Sequence, residues 1–399
     1  MNRRVAVPGR VRLLVLALLA VVAAVSVLRA SSNALEVHAS HDFANLLKSA
    51  EVLQQEDVYR RWFTAMIDDD YTRAPSSNPA GSDPTYAPSS LALLMPFNLM
   101  SWPAAQKLWL ALNLGFTAGL LLLCRRRFLT QEPRWVTGAI AALLLSSVCW
   151  RNIVMNGQLA IAALFFFLLA AELGDRRRPL LAGASLMLAL VKYSLILFLL
   201  PWLIARRQWL PIIVAAGIHV VLTILVAARI HENPVALVLG SFDVGKRLAM
   251  KGYVDVGALA GHAGLPAAVA LGVGLALAGA AAWAALRHRP IDTDLLLATL
   301  SFLAFILIYH RAYDGVVLLL PLCIAAARRA QDPALAAAVL GNVVLVWWVS
   351  SARHWSVWLE DGGPFYWLLA ATWYGTLGLL IMRLDGRAYS TQPQRAEAA

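Results

Sequence analysis

Asp42 lies shortly after the first hydrophobic segment of a chain that otherwise keeps nearly all its acids in loops. A carboxylate at the edge of a low-dielectric region can serve as a general base toward a hydroxyl that comes within hydrogen-bond reach. The plainer alternative is an interfacial carboxylate paired with a loop Lys or Arg. Lys192 interrupts the apolar run from Leu180 to Ile204. An ammonium there needs an anion or water, because burying it alone costs several kcal/mol. A lipid phosphate would serve, as would Asp314, or the side chain could snorkel to the interface. His310, Arg311, Tyr313 and Asp314 crowd one turn between two short apolar segments. Arg311 could hold a phosphate and His310 could give a proton to a phosphate leaving group, unless Arg311 and Asp314 merely close the turn as an ion pair. His41, Tyr86, Asn156 and Gln158 fall on the same expected side and, with Tyr313 and Asp314, are candidate substrate contacts. Asp68, Asp69 and Asp70 read as a solvated patch, and no metal ligand set is assigned.

The elements that must position these groups are membrane helices. The chain has 399 residues, of which 60% are hydrophobic and 14% charged, a composition too apolar for a soluble protein. Val11 to Leu28 carries no charge and follows Arg3, Arg4, Arg10 and Arg12, which predicts an uncleaved signal-anchor with its N-terminus in the cytoplasm. The apolar runs predict an all-α bundle of about twelve crossings (range 10–13) in a single domain over residues 1–389, with residues 390–399 a disordered cytoplasmic tail.

Two features follow from placing the arginine clusters 125–127, 176–178, 206–207, Arg287 with Arg289, 328–329 and Arg383 on one side, as positive residues favour the cytoplasm. Ser89 to Met100 becomes a re-entrant or interfacial helix ended by Pro103. The chain must also turn near Lys192 and come back, so that Lys192 faces the external side. The formal charge of +11 then belongs to short orientation clusters and does not form a nucleic-acid patch.

Two external segments, 29–86 and 230–265, are too long for simple connectors. Phe43, Leu46, Leu47, Ala50, Leu53 and Val58 recur at helical spacing, predicting an amphipathic helix on the membrane surface. Val244, Leu248 and Tyr253 give a weaker pattern of the same kind. Tryptophans such as Trp102, Trp109, Trp150, Trp202, Trp347, Trp348, Trp355, Trp358 and Trp367 read as interfacial belts. Cys124, Cys149 and Cys323 lie in apolar stretches without metal-ligand spacing and read as small buried side chains. There is no phosphate-binding glycine loop, so a nucleotide-driven pump has no support.

In order along the chain, His41-Asp42-Phe43, Tyr86-Ala87-Pro88 through Leu91 to Pro96, Trp102-Pro103, Trp109, Asn156-Gly157-Gln158, the run from Leu181 to Lys192 with Pro201 and Arg206-Arg207, and Tyr309-His310 to Asp314 with Pro321 resemble glycosyltransferase family 87 of the GT-C superfamily. Ser89 stands where that family commonly has a second proline, and the Asp68 to Pro84 loop is longer than usual. The resemblance implies inverting transfer of a hexose, mannose first among the candidates, from a polyprenyl-phosphate sugar to a lipid or glycan acceptor. The reaction would run on the external face of a multi-pass protein in a bacterial plasma membrane. It implies Asp42 as base, Lys192, His310 and Arg311 near the donor phosphate, and no cofactor or divalent metal. A transporter or flippase for a lipid-linked or small polar substrate is the reading from another class, and a ligase or polymerase of lipid-linked glycans a third.

Overall fold

The computed structural model describes residues 9–36, 40–60, 86–248, 292–307, 312–349 and 364–384, with scattered positions between 256 and 279. Every regular element among the described residues is helical. They are α1 (Gly9–Ala34), α2 (His41–Val52), α3 (Pro88–Leu94) running into a 3-10 turn (Met95–Leu99), α4 (Trp102–Phe128), α5 (Arg134–Ser146), α6 (Val148–Asn156) and α7 (Ala160–Asp175). After these come α8 (Pro179–Ala189), α9 (Tyr193–Ile196), α10 (Leu200–Ala205), α11 (Trp209–Ile230), α12 (Pro234–Leu248) and α13 (Thr293–Leu307). A 3-10 segment (Ala312–Leu318) then leads into α14 (Leu319–Arg328), α15 (Pro333–Val344) and α16 (Pro364–Leu384).

Five helical stretches are long and apolar enough to cross a bilayer, or six if the bent pair α5–α6 counts as one span. The expected twelve crossings are therefore not carried by the described helices. The crossing expected at 266–286 lies mostly outside the described residues, and others fall short in length: α13 has 15 residues, α15 has 12 and α14 has 10, all below the roughly 20 that a free-standing crossing needs. α1 has the composition of a lipid-facing helix, with Leu13, Leu14, Leu18, Val21 and Leu28 all exposed.

Pro179–Ala205 passes the length test as one stretch, but the chain reverses inside it. Fully extended as a helix, 27 residues would separate its ends by roughly 40 Å. Arg206 nonetheless pairs with Asp175, just before the stretch begins, at 2.7 Å. The helix breaks at Leu190–Lys192, where Lys192 adopts φ −103°, ψ 66°, and the expected turn at Lys192 is present.

The arginine clusters expected on one side are brought to one end of the bundle. Arg127 and Arg206 share Asp175 at 3.0 and 2.7 Å and lie over the ring of Trp202 at 4.6 and 5.0 Å. Arg329 meets Glu132, Arg328 meets Asp292, and Arg383 meets Asp332.

Two other expectations are corrected. Helix α2 is amphipathic, but its apolar face does not lie on a membrane: Phe43, Leu46, Leu47 and Ala50 are buried in a second protein core with Leu91, Trp109, Val191 and Leu237. Burial against protein satisfies the same pattern as burial against lipid, so periodicity could not separate them. The tryptophans are not a simple belt either. Trp150, Trp202 and Trp347 are fully buried inside the bundle. Their size fills interhelical space, and the indole N–H of Trp150 donates to Thr117 Oγ1 while that of Trp347 donates to the Gly315 carbonyl. All three cysteines are buried and unbridged. Asp68 to Asp70 and Tyr253 lie outside the described residues, as do Trp355 and Trp358.

Candidate active site

The site is assembled where the second core meets the main one. Helix α6 provides the post. Ser147, in extended conformation, ends α5, and its hydroxyl accepts from Trp150 N to cap α6. The two helices meet at a 58° bend. At the other end Gly157 takes φ 70°, a left-handed conformation that closes the helix and suits glycine. A Cβ there would lie 2.5 Å from that of Phe43 and 3.2 Å from the Trp109 ring.

This close approach brings the start of α2 onto the end of α6. The ring of Phe43 stacks on Trp109 with centroids 4.7 Å apart, Trp109 Nε1 donates to the Gly157 carbonyl at 2.9 Å, and Ser40 N donates to the Met155 carbonyl at 2.8 Å. The consequence is a hydrogen bond between residues 116 positions apart: Gln158 Nε2 donates to Asp42 Oδ2. Gln158 is buried and Asp42 half-buried.

Lys192 arrives from the reversal between α8 and α9. Its ammonium is 2.8 Å from Asp314 Oδ1, with both side chains buried, and sits 5.5 Å from the centre of the Tyr313 ring. Tyr86, just before α3, shares a side-chain hydrogen bond with Lys192 and feels the charges of Asp314 and Asp42. Burial raises the Tyr86 phenol above its ordinary value, against the pull of Lys192. The charge of Asp42 also acts on Lys192. Asp42, Tyr86, Gln158, Lys192, Tyr313 and Asp314 thus form one cluster drawn from five separate stretches of sequence.

Of the remaining expected site residues, Asn156 closes α6 beside the cluster without a hydrogen bond to it among the described residues. His41 opens α2, its side chain outside the described set, and His310 and Arg311 lie outside the described residues. Of the fates open to the Lys192 charge, pairing with Asp314 is the one observed.

Sequence reasoning missed the supports. Tyr59 is buried and its hydroxyl donates to the Tyr86 carbonyl at 2.6 Å. His219 of α11 bridges Ser89 Oγ at 2.7 Å and the Met187 carbonyl at 3.0 Å. The carbonyl must receive an N–H, so the proton resides on Nε2 and Nδ1 accepts from Ser89. The imidazole ties α3, which follows Tyr86, to α8, which precedes Lys192. A lone histidine in an apolar helix carries no local signal of such a role, and only the three-dimensional contact reveals it.

The arrangement can do three things: hold a carboxylate in a fixed orientation, keep a cation buried beside it, and present a phenol to both. No curated protein and no solved structure matches the chain. A sequence model of glycosyltransferase family 87 matches residues 85–351, two thirds of the chain. That span includes every cluster residue except Asp42, which the structure joins to it through Gln158. The chain is a polytopic membrane protein, helical in every regular element among its described residues, and belongs to glycosyltransferase family 87.

Proposed function

We propose that the protein transfers a hexose, with mannose the first candidate, from a polyprenyl-phosphate donor to a lipid or glycan acceptor at the Asp42 face of the membrane, the external one. The observation that carries this reading is the Gln158-oriented carboxylate of Asp42, set within reach of the charge of a buried Lys192. Asp42 takes the proton of the acceptor hydroxyl as its oxygen attacks the anomeric carbon. The bond from that carbon to the donor phosphate breaks on the opposite face, its electron pair leaving with the phosphate, and the configuration inverts.

Lys192 has three N–H donors, of which Asp314 and Tyr86 engage two. The third can meet the departing phosphate, and His310 and Arg311 are assigned as its further partners. Asp314 fixes the ammonium, so a charge-stabilising group stands in place before the reaction and needs no reorganisation during it. His41, Asn156 and Tyr313 are assigned to sugar or acceptor contacts. No cofactor or divalent metal takes part in the proposed steps.

The test is transfer of radiolabelled mannose from synthetic polyprenyl-phosphate mannose to membrane extract, comparing wild type with Asp42→Asn. Labelled product from wild type that disappears with the variant supports the reading. Wild-type activity in a folded Asp42→Asn protein removes Asp42 as base. Absence of product with any lipid-phosphate sugar removes the donor class.

A further inference from the structure

Two arginines near the Asp42 end of the bundle stand at matching positions on neighbouring helices, and among the described residues neither is paired with an acid. Helices α1 and α6 pack side by side, and Asn33 Nδ2 of α1 reaches Met155 Sδ of α6 at 3.8 Å. One turn back on each helix are Arg29 and Arg151, both four residues earlier, so the same seam sets them opposite one another. The charge of Arg29 acts on Arg151 accordingly. Among the described residues neither makes an ion pair or hydrogen bond, whereas Arg127, Arg206, Arg328, Arg329 and Arg383 at the other end all meet carboxylates. Arg151 is half-buried and Arg29 exposed, and Arg29 is flanked by the exposed apolar side chains of Val25 and Leu28.

Two like charges held together by helix packing repel each other until an anion lies between them. Guanidinium forks match phosphate oxygens, and two of them can bind one phosphate from both sides. The neighbouring surface is apolar and belongs to a span, so the anion that fits has an acyl chain attached. We infer that Arg29 and Arg151 together hold the phosphate of an anionic phospholipid in the leaflet on the Asp42 side. The apolar flank formed by Val25 and Leu28 lies along its acyl chains. This site is separate from the Asp42 cluster and stands whether or not the proposed donor is correct.

The experiment is thermal unfolding of the purified full-length protein in neutral detergent, titrated with dioctanoylphosphatidylglycerol, with dioctanoylphosphatidylcholine or with glycerol phosphate. Wild type is expected to gain stability with the anionic lipid, and its apparent affinity to exceed that of Arg29→Gln/Arg151→Gln by on the order of tenfold or more. Arg29→Gln alone, at an exposed position, should show part of that loss, and Arg29→Lys/Arg151→Lys should keep part of the response because the charge remains. Without lipid the double glutamine variant should be at least as stable as wild type, since the repulsion is gone. An unchanged lipid response in the glutamine variants overturns the site. Equal shifts with glycerol phosphate or with the zwitterionic lipid overturn the anionic-lipid assignment, and a double glutamine variant that is destabilised in lipid-free detergent reassigns the pair to packing.

Discussion

The ammonium of Lys192 and the carboxylate of Asp314, 122 positions apart in sequence, meet at 2.8 Å with neither side chain more than 7% exposed. Removing one member of a buried pair strands the other, at a cost of about 3–5 kcal/mol, while replacing both by apolar groups can be close to neutral. Lys192→Met or Asp314→Asn alone should therefore unfold at a markedly lower temperature than wild type. The double variant Lys192→Met/Asp314→Leu should recover most of that stability and still fail to transfer sugar. A double variant as unstable as the sum of the singles would show that the two groups do not act as a pair.

Gln158 should separate orientation from chemistry. Asp42→Asn removes the base and is expected to lower kcat by about 10²–10⁴. Gln158→Leu leaves the carboxylate but loses its hydrogen bond, so kcat should fall by a smaller factor, roughly tenfold, with KM for the donor little changed. An unchanged kcat for a folded Gln158→Leu would contradict the orienting role.

Gly157→Ala tests the junction of α2 and α6. The left-handed φ alone costs an L residue about 1–2 kcal/mol, and the added Cβ would press on Phe43 at 2.5 Å. The variant should lose stability beyond the first term, and transfer should fall with it because Asp42 rides on the displaced helix. Normal melting with normal activity would mean that Phe43 and Trp109 yield easily.

Asp175 makes the end opposite Asp42 sensitive to acid. Against the upward push of burial, the hydrogen bonds and charges of Arg206 and Arg127 hold its carboxyl below the ordinary value. A carboxyl with a depressed folded pKa contributes stability above its unfolded pKa, about 3.9, and loses that contribution as pH falls through the folded value. The group is about one third exposed, so screening limits the effect to on the order of 1 kcal/mol. Melting temperatures of wild type and Asp175→Asn should differ by a constant amount from pH 8 to 5 and converge below about pH 4. A gap that widens on acidification would reverse the sign and refute the assignment.

The sequence displayed what one-dimensional periodicity and charge can encode. Apolar runs announced helices, and the arginine clusters demanded a reversal at Lys192 that the Asp175–Arg206 pair now displays. Asp42, Gln158, Lys192 and Asp314 were each legible as unusual polar residues near apolar runs. Pairing with Asp314 was one of the alternatives open to the Lys192 charge, but the partnership of Asp42 with Gln158 was not legible, because a hydrogen bond spanning 116 positions leaves no local trace. Ambiguity arose wherever lipid and protein offer the same apolar surroundings. The face of α2 and the rings of Trp150, Trp202 and Trp347 were read as membrane-facing for that reason, and they are core. The count of twelve crossings is not supported among the described residues, since short apolar runs such as α13 and α14 are buried among other helices and composition cannot distinguish that from spanning.

The bend between α5 and α6 makes α6 a ruler. Arg151 and Gln158 are seven residues apart on either side of the Gly157 cap, so the helix fixes their spacing at roughly 10 Å along its axis. Whatever Arg151 grips at one end is measured against Asp42 at the other. Adding a single residue within α6 between them would leave Arg151 seated on α1 but rotate the cap by about 100°. Gln158 would then swing off the carboxylate, and the same chemistry would be offered at the wrong length.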